Sequence, residues 1–396
     1  MLATISPNRV LRKLFLAALH RMQIGEITII TPEKETWHFV GKEPGPVADL
    51  TIHDWCILKK LFVKGDVGFA EDYIAGKWET ENLPTLLTLG AMNEDALEHL
   101  FHGNWWMKYW FRFKNWLREN TKKGSIRNIR AHYDVGNEFY QLWLDPSMTY
   151  SSALYEGDEK RTLEEAQAAK YGRILQKLGP KPGSILEIGC GWGGFMETAV
   201  KLGHKVKGLT LSDEQAKFAR SRMKTKNLAD KGEVAIQDYR DEKAPFDYIV
   251  SIEMFEAVGE RFWPAYFEKV KALLKPGGKA IIQTITIADE IFEDYRNRSD
   301  FIQQYTFPGG ALPSSSRFVL EAERAGLKAV STYKFGLDYA RTLAEWLANL
   351  ESQLSLVRTL GYEENFIRSW RFYLSYCITG FATRRTDVMQ VELEHA

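Results

Sequence analysis

Ile185-Leu-Glu-Ile-Gly-Cys-Gly-Trp-Gly-Gly-Phe195 is the stretch on which the fold turns. The apolar residues around Glu187 predict a short buried strand. Gly189, Gly191, Gly193 and Gly194 predict a tight turn, and Phe195 to Leu202 resumes at helical spacing. Strand, glycine turn and helix start together form a nucleotide cradle. Glycine lets the backbone approach a ligand closely, and the first helical N–H groups are free to bond it. Gly189, Gly191 and Gly194 also satisfy the G-x-G-x-x-G spacing of dinucleotide sites, so spacing alone leaves two ligand classes open. Glu187 separates them. Its carboxylate would repel a pyrophosphate but attract the ammonium of a bound amino acid, which S-adenosylmethionine carries. A turn that merely joins strand to helix is the bland alternative.

Outward from this stretch the chain alternates strands and helices, the pattern of a doubly wound α/β sheet. Leu163 to Leu178 predicts a helix, with Thr162 as N-cap and Glu164 and Glu165 in its first turn. Gly179-Pro-Lys-Pro-Gly183 stops it. Strands follow at Lys205–Thr210, Glu233–Gln237, Phe246–Ile252 and Lys279–Ile287, with helices at Asp213–Lys224 and Pro264–Leu274. Asp289 to Leu312 reads as an insertion of helix and aromatic loop. Lys328 to Phe335 reads as strand, and the last sixty residues read as helices, Leu343–Leu360 and Glu364–Phe381.

The chain has 396 residues, room for two domains, and the expected division is 1–122 and 123–396, with a basic linker from Lys123 to Arg130. The first module reads as α+β: a helix from Val10 to Met22, paired strands at Glu26–Ile30 and Thr36–Val40, helices at His53–Val63 and Asn82–Leu89, and a turn at Asp66-Val-Gly. Nothing in it resembles a catalytic constellation. Near its end, Trp105, Trp106, Tyr109, Trp110, Phe113, Trp116 and Leu117 recur at helical spacing among Lys108, Arg112, Lys114 and Arg118. Aromatic residues on one face and cations on the other suit the headgroup level of an anionic membrane; an aromatic helix docked on its neighbour is the alternative.

Formal net charge is +0, so any electrostatic attraction is local, and no nucleic-acid partner is expected. No apolar run approaches the roughly 18 residues that span a bilayer. Cys56, Cys190 and Cys377 have no metal-type spacing and fit a reducing compartment, so a cytoplasmic, membrane-peripheral location and no metal site are expected.

Ligands of such sheets bind beyond the carboxyl ends of the strands. The candidates are therefore the Gly189–Gly194 turn with Gly193, Thr210 to Gln215, Gln237 to Tyr239 and Glu253 to Gly259. With these stand His132-Tyr-Asp-Val-Gly-Asn137, Leu144-Asp-Pro146, Tyr150-Ser151, Gln237-Asp-Tyr-Arg-Asp241, Met254-Phe-Glu256, Leu274-Lys-Pro276, Tyr305, Phe307-Pro-Gly309 and Phe335-Gly-Leu-Asp-Tyr339. Their ordered set, over roughly 130–390, resembles the cyclopropane-fatty-acyl-phospholipid synthases and the mycolic acid cyclopropane synthases. The N-terminal module is similar to that of the bacterial phospholipid enzymes.

The resemblance implies a Rossmann-like methyltransferase fold with a smaller lipid-associating domain. It further implies an S-adenosylmethionine-dependent enzyme acting on the double bond of unsaturated acyl chains in phospholipids. Carried over by position, Tyr150, Ser151, Gly189, Gly191, Thr210 and Gln215 would hold the cofactor, and Gln237 and Asp238 would face its adenine. A sulfonium methyl is already activated, so the protein need only position it and exclude water. Tyr305 and Tyr339 could steady the resulting carbocation through their ring faces. The family then uses a bound bicarbonate as base, held by a cysteine, a glutamate, a histidine, a backbone group beside an isoleucine, and a tyrosine. This chain keeps Glu256, Ile285 and Tyr339, but has Ser152 for the cysteine and Gln283 for the histidine.

Those departures leave the product open between cyclopropane and methyl-branched. They predict weak dependence on bicarbonate, and they make Glu256, raised in pKa by an apolar pocket, the expected base. The expected partners are an unsaturated phospholipid, an anionic membrane surface and, as an open option, a second copy in a homodimer. A desaturase-like step on methylated acyl chains and a non-catalytic lipid-binding relative are the alternatives.

Overall fold

The computed structural model describes residues 7–101, 135–297 and 300–396. The Trp105–Trp116 stripe, the basic stretch from Lys122 to Arg130 and the start of the His132–Asn137 motif lie outside the described residues. The chain forms two compact units, neither of them continuous in sequence. The first takes residues 1–114, 297–306 and 354–383; the second takes 115–296, 307–353 and 384–396. Segments from the second half of the chain thus complete the first unit, which two consecutive domains did not anticipate. Their attachment is chemical: Arg368, on helix Glu364–Ala382, is buried and donates to the carbonyls of Tyr73 (2.6 Å) and Trp78 (3.0 Å).

The first unit holds a four-stranded sheet in the order β2-β1-β3-β4, from Ile24–Ile30 (β1), Thr36–Val40 (β2), Glu43–Ile52 (β3) and Trp78–Glu79 (β4). The β1–β2 hairpin is as expected; β3, which runs parallel to β1, was not foreseen. Asp66-Val-Gly is not a turn but the start of helix Asp66–Ile74. Gly68 lies inside that helix because a Cβ there would meet the Lys60 carbonyl oxygen at 2.4 Å. Asn93 pins the start of β1: its Oδ1 accepts from the amides of Gln23 (2.8 Å) and Ile24 (3.1 Å), while its Nδ2 donates to the carbonyls of Ile24 and Leu89.

The second unit is built on seven strands: Ser184–Ile188 (β5), Lys205–Thr210 (β6), Gly232–Ile236 (β7), Phe246–Ile252 (β8), Leu274–Ile287 (β9), Leu327–Lys334 (β10) and Thr386–His395 (β11). Their spatial order is β10-β11-β9-β8-β5-β6-β7. β7-β6-β5-β8-β9 are parallel, and β11 runs antiparallel to both of its neighbours. The chain leaves β5 to one side for β6 and returns on the other for β8, so the switch point lies at the carboxyl ends of β5 and β8.

Adjacent residues feed opposite faces of the sheet. Leu186, Ile249 and Ile282 join Phe255, Trp263, Phe267 and Phe318 on one side; Ile185, Val250 and Ile281 join Ile174, Phe195 and Met196 on the other. Both faces are covered, as a parallel sheet requires. The helices expected at Leu343–Leu360 and Glu364–Phe381 are present, the first as two pieces, Gly336–Ser352 and Leu354–Thr359; β11 follows them, where no element was expected. Met389-Gln-Val-Glu-Leu-Glu394 alternates apolar and polar as a strand with one wet face would, yet six consecutive residues of β11 are buried, Gln390 and Glu392 among them. Among the described residues, no helix is long and apolar enough to cross a membrane.

Candidate active site

The glycine turn after β5 adopts the conformation its sequence requires. Gly189, Gly191 and Gly193 have φ of +85°, +50° and +82°, a region open to glycine and costly for residues with a Cβ. Gly189 N–H and Cys190 N–H both donate to the Leu209 carbonyl, tying the turn to the end of β6. Gly193 begins helix Gly194–Lys201. A Cβ on Gly189 would strike Met254 at 2.9 Å, whereas one on Gly191 would meet no protein atom within 4 Å. That contrast leaves open space on the Gly191 side of the turn. Beneath it, Glu187 is buried with one carboxylate oxygen, Oε2, lacking a hydrogen-bond partner. Burial pushes its pKa well above the carboxylate range, against the opposing pull of Lys170. An orphaned carboxylate oxygen under a glycine cradle fits the ammonium of S-adenosylmethionine.

At the end of β6, Thr210 Oγ1 donates to Gln215 Oε1 (2.8 Å), so these two buried side chains brace one another. Gln237 hydrogen-bonds Glu242 at 3.3 Å. Asp238 is gripped by Arg240 through Nε (2.8 Å) and Nη2 (2.6 Å). Tyr150 sits in an aromatic group with Tyr140, Trp143 and Trp346, ring centroids 5.3–5.7 Å apart. Ser151 Oγ accepts from Lys170 Nζ at 2.6 Å, and its carbonyl accepts from Gln167. Lys170 is wholly buried, and burial drops its pKa to about 7 despite the pull of Glu253, Asp145 and Glu187.

The centre of the site is Glu253, at the carboxyl end of β8. Its Oε1 accepts from the backbone N–H of Ser152 (2.8 Å) and from Gln283 Nε2 (2.7 Å); its Oε2 accepts from the Tyr339 hydroxyl (2.6 Å). Its own N–H donates to the Gln283 carbonyl at 2.8 Å. The backbone at Glu253 has φ +49°, a strained setting for a residue with a long side chain and one found mostly where structure serves a site. Burial raises its pKa, while Lys170 and the three donors work the other way.

Glu256 lies one turn on. Its Oε1 accepts from the Ile285 N–H and from Thr284 Oγ1 (3.1 Å), and its Oε2 has no partner. Burial, with repulsion from Glu253 second, lifts its pKa to about 8, so at neutral pH it holds a proton, whereas at Glu253 Lys170 and three donors oppose the upward push of burial.

Gln283, Tyr339 and the Ser152 backbone therefore converge, but on Glu253 rather than on Glu256. The Ser152 hydroxyl turns away to the Ala153 carbonyl (3.0 Å). Tyr305 belongs to the first unit, where its hydroxyl donates to Glu71 at 2.8 Å. Glu253 fell inside the strand-end window but received no role. The signal available for it was an acid at the first residue after the buried β8. Lys170, Arg173 and Gln390 carried no such signal, since each acts from an element distant in sequence.

The mycolic acid cyclopropane synthetase family model matches residues 120–391. The tuberculostearic acid methyltransferase of Mycobacterium tuberculosis is 35% identical over 343 residues, 84% of this chain and 80% of that protein. The cyclopropane-fatty-acyl-phospholipid synthase of Escherichia coli strain K12 is 33% identical over 356 residues, 87% of each. Among solved structures, mycolic acid cyclopropane synthase CmaA1 complexed with SAH and CTAB aligns with a TM-score of 0.63 at 34% identity, covering 68% of this chain and 97% of that one. With the seven-stranded sheet and its glycine turn, these matches make the chain a member of the mycolic acid cyclopropane synthetase family, an S-adenosylmethionine-dependent methyltransferase acting on fatty acyl chains.

Proposed function

We propose that the enzyme adds a methyl group to the double bond of unsaturated acyl chains in membrane phospholipids, giving a cyclopropane or methyl-branched product. S-adenosylmethionine, when bound, supplies a methyl group already bonded to positive sulfur. The observation that carries the reading is the pair of half-buried acids, Glu253 and Glu256, at the end of β8, the parallel neighbour of the strand that leads into the glycine turn. Methylating an alkene creates a cation that must lose a proton, and a carboxylate beside the methyl donor is what that step needs.

In this reading Glu187, Gly189, Gly191 and Gly193 cradle the methionine portion, with Tyr150 and Ser151 closing over it. Thr210 and Gln215 stand at the end of β6 and Gln237 and Asp238 near the adenine. Tyr339 faces the reacting carbons. The length of the match to the phospholipid synthase supports an unsaturated phospholipid as substrate, and the Trp105–Trp116 sequence stripe with its cations supports an anionic membrane surface. Expression in a host lacking such enzymes, followed by mass spectrometry of its phospholipids, tests the reading. A gain of 14 mass units on monounsaturated chains, the mass of one CH2 ~, is expected. Unchanged acyl chains beside a folded, cofactor-binding protein would instead favour a lipid-binding relative.

A further inference from the structure

The hydrogen bonds around Glu253 bear on what removes the proton. The resemblance calls for bicarbonate, held in part at the positions of Ser152, Gln283 and Tyr339. In this chain the donors at all three positions are already engaged by one side-chain carboxylate, that of Glu253. Bicarbonate and a glutamate carboxylate present the same planar pair of oxygens, so the donors cannot serve both at once. The site does not fit bicarbonate.

The donors are also fixed in sense. Arg173 can only donate, and its Nη1 donates to Gln390 Oε1 at 2.8 Å. That turns the Gln390 amide nitrogen toward Gln283 Oε1, at 2.9 Å. The Gln283 amide nitrogen must then face Glu253. Gln283 and Gln390 are direct cross-strand partners on β9 and β11, both buried, so neither amide can reorient toward water. A chain of hydrogen bonds starting at a permanent cation therefore ends in a donor aimed at Glu253, and only an acceptor suits that place.

We infer that Glu253 is the resident base of this enzyme and takes the place that relatives give to bicarbonate. The inference rests on the acyl-methylating reading above. With a methyl group joined to one alkene carbon, positive charge sits on the other. Glu253 Oε takes a proton, and the C–H electron pair it leaves behind either closes a three-membered ring, if the proton came from the new methyl, or forms a C=C bond, if it came from the methyl-bearing carbon. Glu253 ends protonated and later releases that proton to solvent. No oxidant or reductant is required.

The test compares wild type, Glu253→Gly and Glu253→Gln on vesicles of dioleoyl phosphatidylglycerol in carbonate-free buffer, with and without added bicarbonate, reading lipid product by mass spectrometry. Line broadening of 13C-bicarbonate reports binding separately. Glycine suits the φ of +49° and so should fold. Glutamine keeps the volume of the side chain and cannot take a proton as a carboxylate does. Wild type should make product without bicarbonate, change less than about twofold on its addition, and leave the 13C line sharp. Both variants should fall about 100-fold or more, within the range a general base contributes. Glu253→Gly should regain turnover with bicarbonate and broaden the 13C line, because its donors are freed.

A wild-type enzyme stimulated tenfold or more by bicarbonate, or a Glu253→Gln variant at full rate without it, overturns the inference. Absence of any lipid product from wild type in every buffer would instead overturn the acyl-methylating reading beneath it.

Discussion

Replacing Gln283 by methionine removes one donor from Glu253 at nearly constant volume. The lost bond is charge-assisted and 2.7 Å long, and it joins the fully buried Gln283 to the half-buried Glu253. Hydrogen bonds to charged groups contribute about 1.5–3 kcal/mol, and one pKa unit corresponds to about 1.36 kcal/mol, so the pKa of Glu253 should rise by about 1–2 units. Glu253 works as the carboxylate. Burial already places its pKa above the ordinary value, and a further rise means that the acid limb of kcat/KM moves to higher pH by that amount. The other ionisable groups facing it, Lys170, Tyr339 and Glu256, are unchanged.

The substitution also leaves Gln390 Nε2 buried without an acceptor, which costs about 1–3 kcal/mol of stability. The double variant Gln283→Met/Gln390→Met removes both amides and should recover part of that loss, the remainder reflecting the acceptor that Arg173 gives up, while keeping the displaced pH limb. The assay is kcat/KM against pH on mixed vesicles, with thermal unfolding of each variant alongside. A pH limb that stays with wild type in the single variant refutes the argument. So does one that returns to wild type in the double variant as stability recovers, because the shift would then report damage rather than the missing donor.

Gly191→Val should abolish S-adenosylmethionine binding, measured by calorimetry, in a protein that still folds; the added Cβ meets no protein atom within 4 Å, and its backbone strain at φ +50° costs about 1–2 kcal/mol. Asn93→Ala should destabilise the first unit by about 3 kcal/mol in a urea titration, since it strips partners from two amides and two carbonyls; Asn93→Asp, which keeps the acceptor, should cost less. Asp247 is held at a pKa of about 2, first by Lys275 and then by Ser184, against an ordinary 3.8. Its stabilisation is complete above pH 4 and lost as pH falls through about 2, so the advantage of wild type over Asp247→Asn in thermal unfolding should shrink over that window. At 41% exposure the effect stays below about 1 kcal/mol.

Periodicity and punctuation carried the parallel part of the sheet. Phe246–Ile252 and Lys205–Thr210 were found to the residue, because short segments bounded by glycine, proline and helix caps leave little choice. Thr162 caps helix Leu163–Leu178 as expected, and Glu165, expected only as a first-turn acid, returns the bond to the Thr162 backbone. What escaped was set by tertiary context. β11 buries glutamine and glutamate, which reads as surface until Arg173, Gln283, Lys279 and Ser331 supply their partners. The site divides in the same way. Local motifs pointed to the glycine turn, Glu256, Gln283 and Tyr339, but which acid receives the donors depends on the backbone turn at Glu253, and a strained φ leaves no mark in a sequence.

The central antiparallel strand also governs when the protein becomes an enzyme. β11 enters between β9 and β10, both of which precede it in the chain by more than fifty residues. Until residues 386–395 have been synthesised, those two strands have no partner on their facing edges, and such edges invite pairing with other chains. Closing a sheet from its middle is also a long-range step, and long-range contacts slow folding. A nascent chain that already carries its whole glycine turn, Glu253 and Tyr339 therefore still lacks Gln390 and an organised Gln283. Activity should switch on with one late insertion, and the interval before it is when the chain is most exposed to aggregation.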